Sequence, residues 1–391
     1  MNLTNLLVAA AVAVAAPLVA AAIPRIVVPV AVLEVLLGIV VGPQVLHLLA
    51  VDRLVSGFSQ FGVAFLFFMA GLEVDLGRIK GPPLRAAGFG WLIGMAGALL
   101  VGFGAAAAGL HTAPLYLALA LSTTALGALL PVLQDAGHMD SALGRVTMAC
   151  GAVGEFVPIV VIALALNTTH RRLTTVLLLN VFVLVVLAAI VLVRRWQPAL
   201  VIRVTRATMA SSGQLAVRMS LLLLLALVAL ANAFGLDVLL GAFAAGMIVS
   251  QVVGAHDVPD EHLERLIGRY QGIGFGFAIP IFFVATGARF DLHALFAGIG
   301  PPLLMLLFVG LFLVLRGLPS TILVRRAGLD VPAVPVTLLC ATALPLVVTI
   351  TDDGVATHHM PVPVASALVG AAVLSVLVFP ASALALMERR R

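Results

Sequence analysis

The chain is predicted to be an all-α integral membrane protein, with thirteen transmembrane helices in an inverted-topology repeat and two discontinuous crossing helices. Three observations predict this. Apolar residues make up 62% and charged residues 10% of the 391, against about 45–50% and about 25% in soluble domains, so no water-facing shell can be built from it. Apolar stretches of about 17–25 residues recur along the chain, each long enough to cross roughly 30 Å of hydrocarbon as a helix. The sequence also contains itself twice. Phe67-Phe68-Met69-Ala70-Gly71-Leu72-Glu73-Val74-Asp75-Leu76 returns with one insertion as Phe282-Phe283-Val284-Ala285-Thr286-Gly287-Ala288-Arg289-Phe290-Asp291-Leu292, and Thr123-Thr124-Ala125-Leu126 returns as Ala341-Thr342-Ala343-Leu344.

The apolar segments run at about 3–23, 26–42, 54–72, 85–110, 114–134, 143–167, 173–193, 215–234, 236–252, 270–287, 302–324, 331–351 and 362–386. The first lacks the positive flank of a secretion signal and reads as a helix. Of the 22 Lys and Arg residues, seventeen fall in connections after odd-numbered segments. Four (Arg53, Arg171, Arg172, Arg289) follow even-numbered ones, and Arg316 lies inside a segment. Cytoplasmic loops retain positive charge, so the expectation is a multi-pass cell-membrane protein with its N-terminus outside and its C-terminus cytoplasmic. The net charge of +5 is accounted for by such loops beside anionic lipid, and nucleic acid is not an expected partner.

The repeated motifs end segments three and ten and lie in segments five and twelve, so equivalent elements are seven crossings apart. Seven is odd, and equivalent helices therefore enter the membrane from opposite sides, as in carriers that expose one site to each side in turn. Chance recurrence of Phe, Ala and Gly is the competing explanation, but order, offset and parity agree. The first repeat half is placed at about 26–193 and the second at about 215–386. The basic stretch 194–214, ending in Ser211-Ser212-Gly213, reads as the linker.

A charge at the bilayer centre costs at least roughly 2.5–3.5 kcal/mol, so Glu34, Glu155 and Arg316 are candidate functional residues. Glu155 lies between Gly154 and Pro158, which loosen its helix; the structural alternative is a Glu155–Arg316 pair that locks the bundle. Glu34 fits a gate, a structural hydrogen bond or a helix interface equally. Segments five (Ser122-Thr123-Thr124 before Pro131) and twelve (Thr342 before Pro345) are expected to be broken helices that meet near the midplane, where helix ends and freed carbonyls can coordinate a cation. Ordinary Ser/Thr back-bonding is the alternative. Cys150 and Cys340 have no metal or redox spacing and read as packing residues. His256, His262, His358 and His359 lie in loops and titrate near neutral pH; regulation and simple solvation are both open. Asp352 and Asp353 read as an outward-facing acidic mouth or as plain solvent exposure.

Pro29 to Pro43, Phe65 to Asp75, Leu121 to Leu133 and Pro280 to Asp291 together resemble the membrane domain of the monovalent cation:proton antiporter-2 family, which contains Kef-type and bacterial sodium/proton exchangers. The resemblance covers essentially the whole chain. It implies a homodimer in a bacterial inner membrane, with core helices at about 85–167 and 302–386 moving like an elevator against scaffold helices at about 1–72 and 173–287. It implies exchange of Na+ or K+ for H+, with no enzyme activity and no cofactor. The family usually has Asp-Asp or Asn-Asp where this chain has Gly154-Glu155, so a single-carboxylate site is expected: Glu155 with oxygens from Thr123, Thr124 and Thr342, supported by Arg316, Glu34 and Ser375, the last lying roughly where Glu155 maps in the second repeat. Electrogenic relatives carry a lysine where Arg316 stands. An arginine does not release its proton, so exchange is expected to be electroneutral. A non-transporting membrane scaffold or sensor, and an organic-solute carrier on the same fold, are the alternatives.

Overall fold

The computed structural model describes residues 3–22, 29–73, 81–139, 141–165, 172–195, 214–254 and 260–388. Residues 196–213 of the expected linker, Val74–Leu76 of the first repeated motif and His256 fall outside these, as does the side chain of His262.

The described residues form helices throughout. In order they are α1 (Leu3–Ala22), α2 (Val30–Val41), α3 (Arg53–Glu73), α4 (Pro82–Ala107), α5 (Pro114–Leu121), α6 (Leu126–Asp135), α7 (Ala142–Ala165), α8 (Arg172–Arg195), α9 (Leu215–Ala233), α10 (Val238–Gly254), α11 (Asp260–Ile273), α12 (Ile279–Arg289), α13 (Leu292–Leu295), α14 (Gly300–Leu311), α15 (Leu318–Arg326), α16 (Ala333–Cys340), α17 (Pro345–Ala356) and α18 (Val362–Glu388). A π-helical turn, Gly274–Ala278, joins α11 to α12, and another, Phe312–Gly317, joins α14 to α15. Nine helical runs among the described residues are long and apolar enough to cross a membrane, and three shorter apolar helices lie within α2, α8 and α10. With the interrupted α5–α6 they match the thirteen predicted segments. Segment ten begins earlier than expected, because the stretch before it, Asp260–Ile273, is helical but amphipathic rather than apolar.

The chain divides into two compact units, 1–59 with 77–158 and 280–391, and 60–76 with 159–279. In the first, Ala9, Val12, Leu49, Val55, Val284, Ala285 and Ala288 form one buried cluster. α4 packs on α5 and α15, and α18 packs on α14, α16 and α17. In the second, α10 packs on α8 and α9. The Tyr270 hydroxyl there hydrogen-bonds Ser220 at 2.6 Å, and the Tyr270 ring meets Phe68 edge-on.

In lipid, where apolar burial gives little net drive between helices, close backbone approach at small residues holds crossings together. Within the second unit, a Cβ on Gly71 of α3 would fall on the Phe243 carbonyl of α10, and one on Gly246 of α10 would fall on the Phe68 carbonyl of α3. Within the first unit the same contact recurs: a Cβ on Gly287 of α12 would meet the Val35 carbonyl of α2, and one on Gly38 of α2 the Val284 carbonyl of α12. Segment three crosses nine, and ten crosses two. Each pair maps onto the other by the seven-crossing step, so the internal repeat is a repeat of contacts as well as of sequence.

Candidate functional site

The crossing of the two broken helices lies in the first unit. α5 stops at Leu121 because Ser122-Thr123-Thr124 leave the helical path, and α6 starts at Leu126; α16 stops at Cys340, and α17 starts at Pro345, whose missing N–H and fixed φ suit a first helical turn. Both breaks are buried: Ser122, Thr123, Thr124, Ala125, Ala341, Thr342, Ala343 and Leu344 have almost no exposure. Freed backbone groups there must find partners. The Ala125 N–H donates to the Thr342 carbonyl at 2.8 Å, joining one break directly to the other. The Thr124 N–H donates to the Gly154 carbonyl at 3.1 Å. In the second repeat the Ala343 N–H donates to Ser375 Oγ at 3.0 Å, and the Ser375 hydroxyl faces the carbonyls of Ala343 and Ala372. Gly154 and Ser375 therefore do equivalent work on the two breaks.

Arg316 stands at the end of a π-helical turn and is fully buried. Its Nε donates to Thr124 Oγ1 at 2.7 Å, its Nη1 to Ser320 Oγ at 2.8 Å and its Nη2 to the Cys150 carbonyl. The Thr124 hydroxyl in turn donates a hydrogen bond to the Cys340 carbonyl at 2.7 Å. One guanidinium and one hydroxyl thus tie together the π turn, α7 and both breaks. The acceptors are all neutral.

Glu155 is also fully buried, and neither carboxylate oxygen makes a hydrogen bond. The backbone N–H groups of Leu126 and Gly127, the first two residues of α6, lie within electrostatic reach of it. That is the positive end of a helix. No ion pair joins Glu155 to Arg316 among the described residues, so the locking pair considered from sequence is not formed. A buried carboxylate that makes no ion pair and no hydrogen bond of ordinary geometry requires explanation.

The remaining expected residues divide. Thr123 and Thr342 lie in the breaks, but their hydroxyls donate to their own helices, to Ala120 O at 3.0 Å and Leu338 O at 3.1 Å. The back-bonding alternative therefore holds for these two side chains, within segments that are nonetheless broken. Glu34 is buried on α2 and takes no part in the bonds around Arg316. Cys150 and Cys340 are free, buried thiols whose backbone carbonyls serve the crossing. Sequence reasoning missed Ser320, one helical turn after Arg316. It also missed Tyr116, whose hydroxyl donates to Asp353 at 2.8 Å while its ring stacks on His359. The spacing of Ser320 from Arg316 was a usable signal; the Tyr116 contacts had none.

Comparisons with known proteins identify the family and the fold. The family model described as "Sodium/hydrogen exchanger, transmembrane" matches residues 10–389, and the chain belongs to that family, one of multi-pass membrane transporters rather than enzymes. It is 27% identical over 286 residues, 69% of its length, to the "Putative Na(+)/H(+) antiporter YjbQ" of Bacillus subtilis, of which it spans 44%. It is likewise 27% identical over 291 residues to the "Probable Na(+)/H(+) antiporter GerT" of Bacillus cereus, covering 71% of each chain. The fold is similar to that of the sodium proton antiporter MjNhaP1 from Methanocaldococcus jannaschii, with a TM-score of 0.64, 14% identity and coverage of 97% of this chain and 95% of that one.

Proposed function

We propose that the protein exchanges a monovalent cation, Na+ or K+, for H+ across a membrane by alternating access, with Glu155 as the acid that carries either one. The observation that carries this reading is the fully buried Glu155 carboxylate, which makes no ion pair among the described residues and faces only the N–H groups that open α6, beside two helix breaks. The relatives described as Na+/H+ antiporters support the substrates. Backbone oxygens of the breaks and the hydroxyl oxygens of Thr123 and Thr342 supply further ligands. Thr124 is committed to Arg316 and Cys340 and acts by holding the site's shape, as Ser375 does in the other repeat. Glu34 belongs to the supporting helices.

A fixed guanidinium and one titrating carboxylate give electroneutral exchange, one cation for one proton. Arg316 keeps its charge throughout, because a guanidinium does not release its proton at working pH. The core helices at about 85–167 and 302–386 carry the site, and the helices at about 1–72 and 173–287 form the scaffold of a homodimer. The N-terminus lies outside and the C-terminus in the cytoplasm.

Proteoliposomes that trap a pH probe test the reading. Na+ or K+ pulses should move protons in the native chain, and Glu155→Gln should abolish the movement while the protein stays folded. Exchange retained in the variant would remove Glu155 from its role. A rate that follows an imposed membrane potential would remove the one-for-one stoichiometry.

A further inference from the structure

A cavity of about 250 Å³ lies among α12, α17 and α18, away from the bonds that organise the Arg316 crossing. Its polar wall is made by Thr286, Arg289, Asp291, Thr351, Asp352 and Ser366, and apolar residues complete the rest. The lining holds two carboxyl groups and one guanidinium, a formal charge of −1 with both carboxyls ionised. Asp291 is held anionic: the Ala294 N–H at 2.8 Å, with the Gln44 amide at 2.9 Å, keeps its carboxyl below the usual carboxylate range. That charge balance favours a cation over an anion in the cavity.

Two further observations point to a ligand. Thr286 is 5% exposed and its hydroxyl has no hydrogen-bond partner, an expensive condition for a buried polar atom. Arg289 is anchored to Ser56 by Nη2 at 3.0 Å but reaches Asp352 only at 3.9 Å through Nη1. Asp352 is therefore the weakly held member of the set, paired at the limit of an ion pair and half-exposed. Such pairs hold by only about 0.2–1 kcal/mol.

We propose that this cavity is a second cation site, separate from Glu155, which takes a hydrated monovalent cation between Asp352, Asp291 and the hydroxyls of Thr286 and Thr351, displacing the tethered guanidinium of Arg289 from Asp352. The volume corresponds to roughly eight water molecules at about 30 Å³ each, which suits an ion that keeps part of its shell. One surplus negative charge matches a monovalent ion; divalent cations are held by several carboxylates at short range. The exchange reading supplies only the identity of the ion, and the site's existence stands apart from it.

Binding of Na+ alone to the purified full chain in detergent, followed by 23Na line broadening in a Glu155→Gln background, tests the site without any flux measurement. Broadening should persist in Glu155→Gln and be lost when Asp352→Asn is added. Adding Arg289→Gln instead should tighten binding by a factor of about 1.4 to 5, because the competing cation is gone. A misfolded variant does not gain affinity, so the Arg289 arm is informative whatever Asp352→Asn does to stability. Absence of binding in Glu155→Gln, unchanged binding with Asp352→Asn, or weaker binding with Arg289→Gln would each overturn the proposal. Absent flux with retained binding would fault the exchange reading alone.

Discussion

Gly154 directly precedes the buried Glu155, and the structure supplies a physical reason for the glycine. A Cβ at 154 would collide with Arg316 Nη2 and with the Thr124 side chain. The guanidinium takes the room that a side chain would need. Gly154→Ala should therefore lose about 1–3 kcal/mol by overpacking, visible as a lower thermal midpoint of the full chain in detergent. Thr124→Val should cost a comparable amount, because Arg316 Nε and the Cys340 carbonyl would both lose their partner; Thr124→Ser should restore most of it in the same assay. Asp291 adds a pH dependence. Its folded pKa is depressed, first by the Ala294 N–H and then by Gln44, so its contribution is present above the unfolded value of about 3.9 and is lost as pH falls through the folded value. The stability gap between native chain and Asp291→Asn should be open at neutral pH and close below about pH 4, by urea titration at each pH.

At the scale of elements, the two broken crossings were legible because their composition is costly in a membrane helix: hydroxyls next to glycine or proline free backbone groups that must then be satisfied. Glu155 and Arg316 were legible for the same reason, each a charge in an apolar run. What completes them was not. Thr124 bonds the Cys340 carbonyl and Arg316, and Arg316 bonds the Cys150 carbonyl. These partners are distant in sequence, and nothing in local composition selects them. The 36 glycines were equally silent about which few sit at crossings. Ser375 was placed by repeat arithmetic alone, and its bond to the Ala343 N–H gives that placement a physical meaning. Ser375→Ala would orphan this N–H, at about 1–3 kcal/mol, and hydrogen exchange at residues 342–344 should rise while exchange in α10 stays constant.

At the scale of the molecule, reciprocal glycine crossings predict matched sensitivities. Gly246→Leu and Gly287→Leu each force a side chain into a partner backbone, and both should lower the thermal midpoint substantially, whereas Gly310→Leu, where a Cβ meets nothing, should leave it near the native value. The hydrogen bond from Ala125 to Thr342 also has a consequence in time. A ribosome delivers about 5–20 residues per second, so the first break reaches the membrane some ten to forty seconds before the carbonyl that completes it. Throughout that interval a polar backbone amide at membrane depth has no native partner. Biogenesis of the first half is therefore a waiting state, and its survival rests on whatever water or helper protein shelters that amide until the second half arrives.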